Sequence, residues 1–207
     1  MQQKAYKTQT DPNLKETKLS ELSKFILNEL SSKLSENLSY HNRSHTEYVI
    51  KTSALIAEHE QMSMDEKYLI RAAAIMHDTG FLFTYKEHEV VSCSYSREIL
   101  PSYGFVQSDI EKICKMIMAT RIPQTPLDKC SEILADADLE YLGTDSFKKT
   151  GQKLYQELKS LNPAFDKKLW NEIQIKFMSA HTYFTPFCKK NREPIKNLHL
   201  QGLMEMA

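Results

Sequence analysis

Apolar residues recur at three- and four-residue steps along most of the chain, and no segment alternates apolar and polar residues at every second position. This spacing places apolar side chains on one face of an α-helix, whereas a half-buried strand needs a two-residue repeat. The pattern predicts helices from Leu19 onward, over about 44–60, 63–78, 87–100, 108–120, 127–141, 145–161 and 163–183, and from near Pro186 or Pro194. The predicted fold class is therefore all-α, a compact single-domain helical bundle.

The length of the chain limits the number of domains. With 207 residues it is long enough for one domain with a buried core and short for two. Residues 1–17 are polar and lack the apolar core of a secretory signal, so we expect a loose segment there and a helical domain over 18–207. Glycine, proline or polar clusters separate the predicted helices, and Gly80 is expected to end the third helix.

Charge and glycine content narrow the classes of partner. The 27 lysines and arginines balance 27 aspartates and glutamates, so no overall basic charge attracts nucleic acid or an anionic membrane. The 5 glycines are too scattered for a Gly-rich dinucleotide or phosphate loop. No apolar run approaches the ~18 residues needed to span a bilayer. The four cysteines form no Cys-x-x-Cys pair. We therefore expect a cytoplasmic protein without nucleic-acid or membrane partners.

Histidines stand where two predicted helices begin and end. His41 and His45 lie at the start of the second helix, and His77 precedes Asp78 at the end of the third. A buried imidazole beside a buried carboxylate is costly unless something pairs them, and a divalent cation does so. These two helix ends are therefore candidates for a metal site.

Two acids in the predicted helix 127–141 are further candidates. Asp136 and Asp138 project about 200° apart on a helix, so both cannot face one ion directly. Asp138 has leucines four residues away on either side, which indicates a buried face, whereas Asp136 aligns with two glutamates, which indicates a face toward water. We therefore choose Asp138 as the ligand and expect Asp136 to be a surface acid or to stand behind the ligands.

Together these residues resemble the ligand set of the HD superfamily of metal-dependent phosphohydrolases, which is a His, an adjacent His-Asp pair and a distant Asp on the helices of an α-bundle. The resemblance assigns His45, His77, Asp78 and Asp138 to these positions, in this order. Other stretches within residues 38–200 are similar to small stand-alone bacterial members of the superfamily: 72–81, 133–143 and 183–185.

The motif around His41 and His45 is also similar to that of cyclic-nucleotide phosphodiesterases, which share this fold. That likeness gives His41 the role of proton donor to the leaving group and His45 that of metal ligand. The resemblance implies that metal-activated water hydrolyses a phosphate monoester or diester, most plausibly of a nucleotide, with Asp78 able to bridge two ions.

The types of ligand atom limit which metals the site can hold, and nearby cationic residues are candidates for binding the phosphate. Imidazole and carboxylate ligands with open positions suit zinc, iron, manganese or magnesium. Related sites with a firm dinuclear centre have a further histidine where this chain has Ala119-Thr120, so we expect one tight ion and a second, looser ion whose candidate ligand is His88. Three cationic residues close to the site in sequence are candidate phosphate anchors: Arg43, Lys86 and Arg121.

Two other functions stay open at this point. One is a dinuclear-iron oxygenase of the same superfamily, which needs a well-held second ion and is disfavoured by the missing histidine. The other is a non-catalytic regulatory module that binds a nucleotide, which the intact ligand set disfavours.

Overall fold

Ten α-helices and no β-strand make up residues 12–205, the part of the chain that the computed structural model describes. The helices are α1 (Pro12–Lys33), α2 (Arg43–His59), α3 (Met64–Met76), α4 (His88–Ile99), α5 (Gln107–Ala119), α6 (Lys129–Leu139), α7 (Phe147–Leu161), α8 (Lys167–Ala180), α9 (Pro186–Asn191) and α10 (Glu193–Met204). Short 3-10 turns follow α3, α4 and α6, over Thr79–Leu82, Leu100–Tyr103 and Glu140–Gly143. The all-α prediction is confirmed.

The ends of the chain differ most from the predicted bounds. Helix α1 begins at Pro12, so residues 12–17, which were expected to be loose, are helical, and residues 1–11 lie outside the described range. Pro186 and Pro194 each stand in the first turn of a helix, where a missing N–H costs nothing. The predicted last helix is therefore two helices, α9 and α10.

The main core joins α1, α2, α3, α5 and α6. Each of these helices contributes a side chain that solvent does not reach: Leu22, Ile56, Ile70, Ile113 and Leu134. Burying one such side chain stabilises the fold by about 1.5–3 kcal/mol. As a consequence, the start of α2, the end of α3 and α6 lie side by side, and these elements carry the predicted ligands.

A second, smaller apolar cluster joins α7, α8 and α10 to the turn after α6. It contains Phe147, Met178 and Leu203 together with Tyr141 and Leu142 of the turn. This cluster sets α7 and α8 beside the elements that carry the ligands. No helix within residues 12–205 combines the length and apolar character needed to cross a membrane.

Candidate metal centre

Asn42 caps the start of α2, the helix that carries His45 in its first turn. The side-chain oxygen of Asn42 accepts hydrogen bonds from the backbone N–H groups of Ser44 at 2.9 Å and His45 at 3.4 Å, which caps the helix. The His45 side chain is buried, and its Nε2 lies 3.0 Å from Oδ1 of Asp138 on α6. The cap therefore places His45 on the face that α2 presents to α6.

Helix α3 ends at Met76, and His77 and Asp78 follow directly. Nδ1 of His77 lies 2.8 Å from the carbonyl oxygen of Ala74 and donates its proton to it. In the neutral ring, Nε2 then carries the lone pair that can bind a metal ion. Ser92 of α4 stabilises the turn that follows α3. Its hydroxyl donates a hydrogen bond to the His77 carbonyl at 2.7 Å and accepts one from the Gly80 N–H at 2.8 Å. The ring of His77 is thus oriented by protein contacts alone.

Four side-chain atoms converge between these elements. The Nε2 atoms of His45 and His77 are 3.4 Å apart. Asp78 Oδ2 lies 3.4 and 3.2 Å from these two nitrogens, and Asp138 Oδ1 lies 3.0 and 3.7 Å from them. Ligand atoms about 2.1 Å from one shared ion are separated by about 3.0–3.4 Å in octahedral or tetrahedral geometry. His45, His77 and Asp138 are placed to hold a metal ion. Asp78 Oδ2 lies close enough to the two histidine nitrogens to offer a fourth donor.

The buried oxygen of Asp78 supports the fit to a cation. Its Oδ2 is shielded from solvent and has no hydrogen-bond partner among the described residues. A buried carboxylate oxygen that accepts no hydrogen bond is costly, and a metal ion would satisfy it. The donor set and this orphan atom both fit a divalent cation.

The charges of the cluster shift one another's pKa values. Burial alone would raise the pKa of Asp78 and Asp138, but the neighbouring histidines outweigh it and hold both pKa values well below their usual range. Burial lowers the pKa of His77, but the two carboxylates outweigh it and raise that pKa well above its ordinary value. The cluster therefore attracts positive charge, and a metal ion competes with a proton for it.

His88, the candidate ligand of a second ion, stands at the start of α4. Its Nε2 lies 3.5 Å from the other Asp78 oxygen, Oδ1, and 3.7 Å from Oε1 of Glu89. Burial holds the pKa of His88 below its ordinary value, which favours the uncharged ring that a metal ligand needs. Asp78 thus has one oxygen toward His45 and His77 and one toward His88.

His41 is paired with Glu157 of α7, a residue for which the sequence offers no local motif. Nδ1 of His41 lies 2.5 Å from Glu157 Oε1, which also accepts a hydrogen bond from the Tyr85 hydroxyl at 3.2 Å. Glu157 Oε2 accepts from the backbone N–H groups of Tyr40 at 2.8 Å and His41 at 3.0 Å. Burial lowers the pKa of His41, but the hydrogen bond to Glu157 and the nearby carboxylates outweigh it and raise that pKa. Glu157 therefore favours a protonated His41.

A cavity of about 420 Å³ is lined by His41, Asp78, His88 and Asp138 at one end. The remaining lining is mostly aromatic and aliphatic, and much of it comes from α7 and α8: Phe147, Leu154, Leu158, Trp170, Ile173, Phe177 and Met178. A substrate that reaches the candidate ligands from this cavity therefore contacts an apolar surface.

The three candidate phosphate anchors do not line this cavity. Arg43 bonds Glu47 at 2.9 Å and Ser31 at 3.2 Å on the outer surface. The Arg121 side chain bonds Glu87 at 2.9 Å, and that of Lys86 is exposed. Their role as substrate anchors stays a prediction, and the structure does not bring them to the ligands.

The environment of Asp136 differs from the predicted one. Its side chain is fully buried and accepts hydrogen bonds from the Phe184 N–H at 2.8 Å, the Thr185 N–H at 2.8 Å and the Thr185 hydroxyl at 2.6 Å. Asp138 is the more exposed of the two acids, at 16% of its side-chain surface. The prediction that Asp136 faces water is wrong, because the chain before α9 covers it and supplies three donors. Asp138 faces His45 and His77, and its role as a metal ligand stays a prediction.

Gly80 has a different role from the predicted one. Helix α3 ends earlier, at Met76, and Gly80 lies inside the following 3-10 turn without a positive φ. A Cβ at this position would lie 2.0 Å from the carbonyl oxygen of His88. Gly80 therefore lets α4 start directly against the turn that carries Asp78.

We expect Gly80→Ala to lower the free energy of unfolding by about 1–3 kcal/mol, because the backbone of His88 must move to admit the methyl group. Gly202→Ala is the matched control, since nothing lies within 4 Å of a Cβ there and alanine is the better helix former. Urea unfolding of both variants measures the difference. Equal stability of the two variants would contradict this account of Gly80.

The segment that carries the candidate ligands has relatives in known proteins. Residues 42–140 match the family model described as HD domain. The chain therefore contains an HD domain over these residues. The matched segment of this HD-domain protein includes His45, His77, Asp78 and Asp138, but it stops before Glu157 and before the cavity wall formed by α7 and α8.

Solved structures share the fold of the HD-domain protein over nearly its whole length. The crystal structure of a predicted HD superfamily hydrolase from an uncultured Thermotogales bacterium has a TM-score of 0.59 and 21% identity, covering 88% of this chain and 90% of that chain. Bacillus subtilis YpgQ in complex with ADP has a TM-score of 0.65 and 14% identity, covering 94% of this chain and 97% of that chain. Identities this low establish the shared fold alone. No curated protein sequence matches the chain.

Proposed function

We propose that the HD-domain protein is a metal-dependent hydrolase of phosphate monoesters or diesters. The observation that carries this proposal is the convergence of His45, His77, Asp78 and Asp138: the two histidine Nε2 atoms are 3.4 Å apart, and each carboxylate has an oxygen 3.0–3.7 Å from both of them. His41 lines the cavity beside this cluster. Zinc, iron, manganese and magnesium all accept such imidazole and carboxylate donors.

The four ligands would hold the ion, and His88 with the second oxygen of Asp78 would hold a looser one. Bound there, a divalent cation would polarise a phosphoryl oxygen and lower the pKa of water toward ~7. The orphan oxygen of Asp78 and the free lone pair of His77 Nε2 are the features of the chain that support this assignment.

His41 would supply the proton that the departing oxygen needs. Its Nδ1 is engaged by Glu157, so the proton to be transferred is on Nε2. Phe81 stacks on the rings of both His41 and His88, with centroid distances of 4.2 and 4.0 Å. These contacts hold the two imidazoles in place during turnover.

A nucleotide is the substrate class that we propose among phosphate esters. The similar structure of YpgQ was solved with ADP, and a shared fold makes a related ligand a reasonable first choice. The cavity supplies aromatic surface on which a base could pack.

Elemental analysis of protein purified without chelator, followed by assays with added manganese, magnesium and zinc, tests the proposed function. We expect about one tightly bound transition metal per chain, and hydrolysis of 4-nitrophenyl phosphate or bis(4-nitrophenyl) phosphate. Full metal content without hydrolysis of either ester would favour the nucleotide-binding module. Oxygen consumption by the iron-loaded protein, without hydrolysis, would favour the oxygenase.

A further inference from the structure

The cavity beside the candidate ligands is lined by acidic residues but by no lysine or arginine of the described range, although the proposed substrate is an anionic phosphate ester. The three acids are Asp78, Glu89 and Asp138. With only the tightly held divalent cation bound, two of these three negative charges are balanced. In that state each additional negative charge on a substrate would approach an uncompensated carboxylate, and no lysine or arginine of the lining would pair with it.

The apolar part of the cavity is large relative to its polar part. Trp170, Ile173 and Phe177 of α8 face it together with Leu154 and Leu158 of α7. Fully burying one ring of phenylalanine size is worth about 1.5–3 kcal/mol, which corresponds to roughly 10- to 150-fold in affinity. An aromatic substituent on the substrate would gain this much in the cavity, while a second phosphate would gain nothing from it.

We infer that the HD-domain protein acts on a phosphodiester that carries a single negative charge and an aromatic or similarly apolar group, which occupies the cavity between α7 and α8. This inference rests on the proposed function and narrows its substrate class. A nucleotide fits it as a diester whose base enters the cavity, and a nucleoside di- or triphosphate does not.

The reaction that follows is a balanced hydrolysis. The oxygen of a water molecule bonds to phosphorus while the bond from phosphorus to one ester oxygen breaks, and the departing oxygen takes the proton from Nε2 of His41. A proton released by the attacking water restores His41, so the products are a phosphate monoester and an alcohol.

The single tryptophan of the chain, Trp170, lines the cavity, so its fluorescence reports occupancy independently of turnover. The probes are diphenyl phosphate and dimethyl phosphate, which carry the same charge but differ in apolar surface, and ADP, which carries more charge. In the presence of zinc we expect diphenyl phosphate to change the fluorescence with a Kd at least about tenfold below those of the other two. Equal or tighter binding of ADP or dimethyl phosphate would overturn the inference.

Two variants of α8 form a matched pair for the same titration. Ile173 is 40% exposed and lines the cavity, whereas Leu169 is 42% exposed on the same helix and does not line it. We expect Ile173→Lys to raise the Kd of diphenyl phosphate by about tenfold or more and to lower that of ADP. Leu169→Lys should leave both values within about twofold, and an equal effect of the two variants would overturn the inference.

Turnover separates this inference from the proposed function. Binding of diphenyl phosphate without hydrolysis of it, of 4-nitrophenyl phosphate or of bis(4-nitrophenyl) phosphate under any added metal would overturn the proposed function, while the fluorescence result would still support the ligand class of the cavity. Faster hydrolysis of ADP than of diphenyl phosphate would overturn the inference and leave the hydrolase assignment standing.

Discussion

Asp78→Ala and His77→Ala are each expected to reduce the metal content from about one ion per chain to less than about a tenth of that, with turnover lowered by at least ~10³-fold. Each variant removes one of the four candidate ligands, whose carboxylate oxygens lie 3.0–3.7 Å from the Nε2 atoms of His45 and His77, so the remaining donors no longer enclose an ion. Elemental analysis and hydrolysis rates on the same preparations measure both effects. Full metal content in both variants would show that the ion is not held here.

Asp136 and Asp138 provide the matched comparison for this expectation. Asp138→Asn removes a negative ligand and should weaken metal binding. Asp136→Asn should keep the metal and lower the free energy of unfolding by about 1–3 kcal/mol, because a carboxylate that accepts three hydrogen bonds is replaced by an amide. The opposite result, with metal lost only from Asp136→Asn, would transfer the ligand role to Asp136.

His41→Ala is expected to keep its metal and to lose roughly 10²–10⁴-fold in turnover of an alkyl ester, the usual contribution of a positioned acid. The loss should be smaller for a 4-nitrophenyl ester, since nitrophenolate departs without a proton. Rates of both esters with wild type and variant give the comparison. The same loss on both esters would argue against His41 as the proton donor.

The pH profile gives a second readout of the same group. Only protonated His41 can donate, so turnover of an alkyl ester should fall as pH rises through the pKa of His41, which lies above its ordinary value. Glu157→Gln removes the negative charge that favours the protonated ring, so the fall should move to lower pH. Glu157→Asp, which keeps the charge, should restore part of the shift. An unchanged profile in Glu157→Gln would limit Glu157 to a structural role.

Helices and ligands were predictable from the sequence for different reasons. Helix bounds follow from local patterns, such as the three- and four-residue apolar spacing and the cap at Ser63, where the structure has the full capping box with Glu66. The grouping of His45, His77, Asp78 and Asp138 rested on the cost of burying imidazole and carboxylate groups without a cation and on a resemblance in residue order. The structure brings these four side chains together, and their role as metal ligands stays a prediction.

The features that sequence reasoning missed depend on partners from distant elements. Glu157 is 116 residues from His41 and carries no motif, so only the packing of α7 reveals the pair. Asp136 was assigned to a water-facing side because glutamates stand four residues away on either side. One of them, Glu140, is itself buried and bonded to Tyr48 and Arg192. Helical periodicity cannot separate an exposed acid from a buried acid that another segment pairs.

Under the proposed function, the metal site and the substrate-contacting wall would come from different stretches of sequence. The four candidate ligands lie between residues 45 and 138, whereas α7 and α8, between residues 147 and 180, supply much of the apolar cavity wall. Mutations in the later stretch can therefore change which ester is accepted while the ion stays in place, so that new specificities can evolve without rebuilding the reaction centre. Glu157 lies in the same stretch and contacts His41, so under the proposed mechanism such divergence would have to keep Glu157.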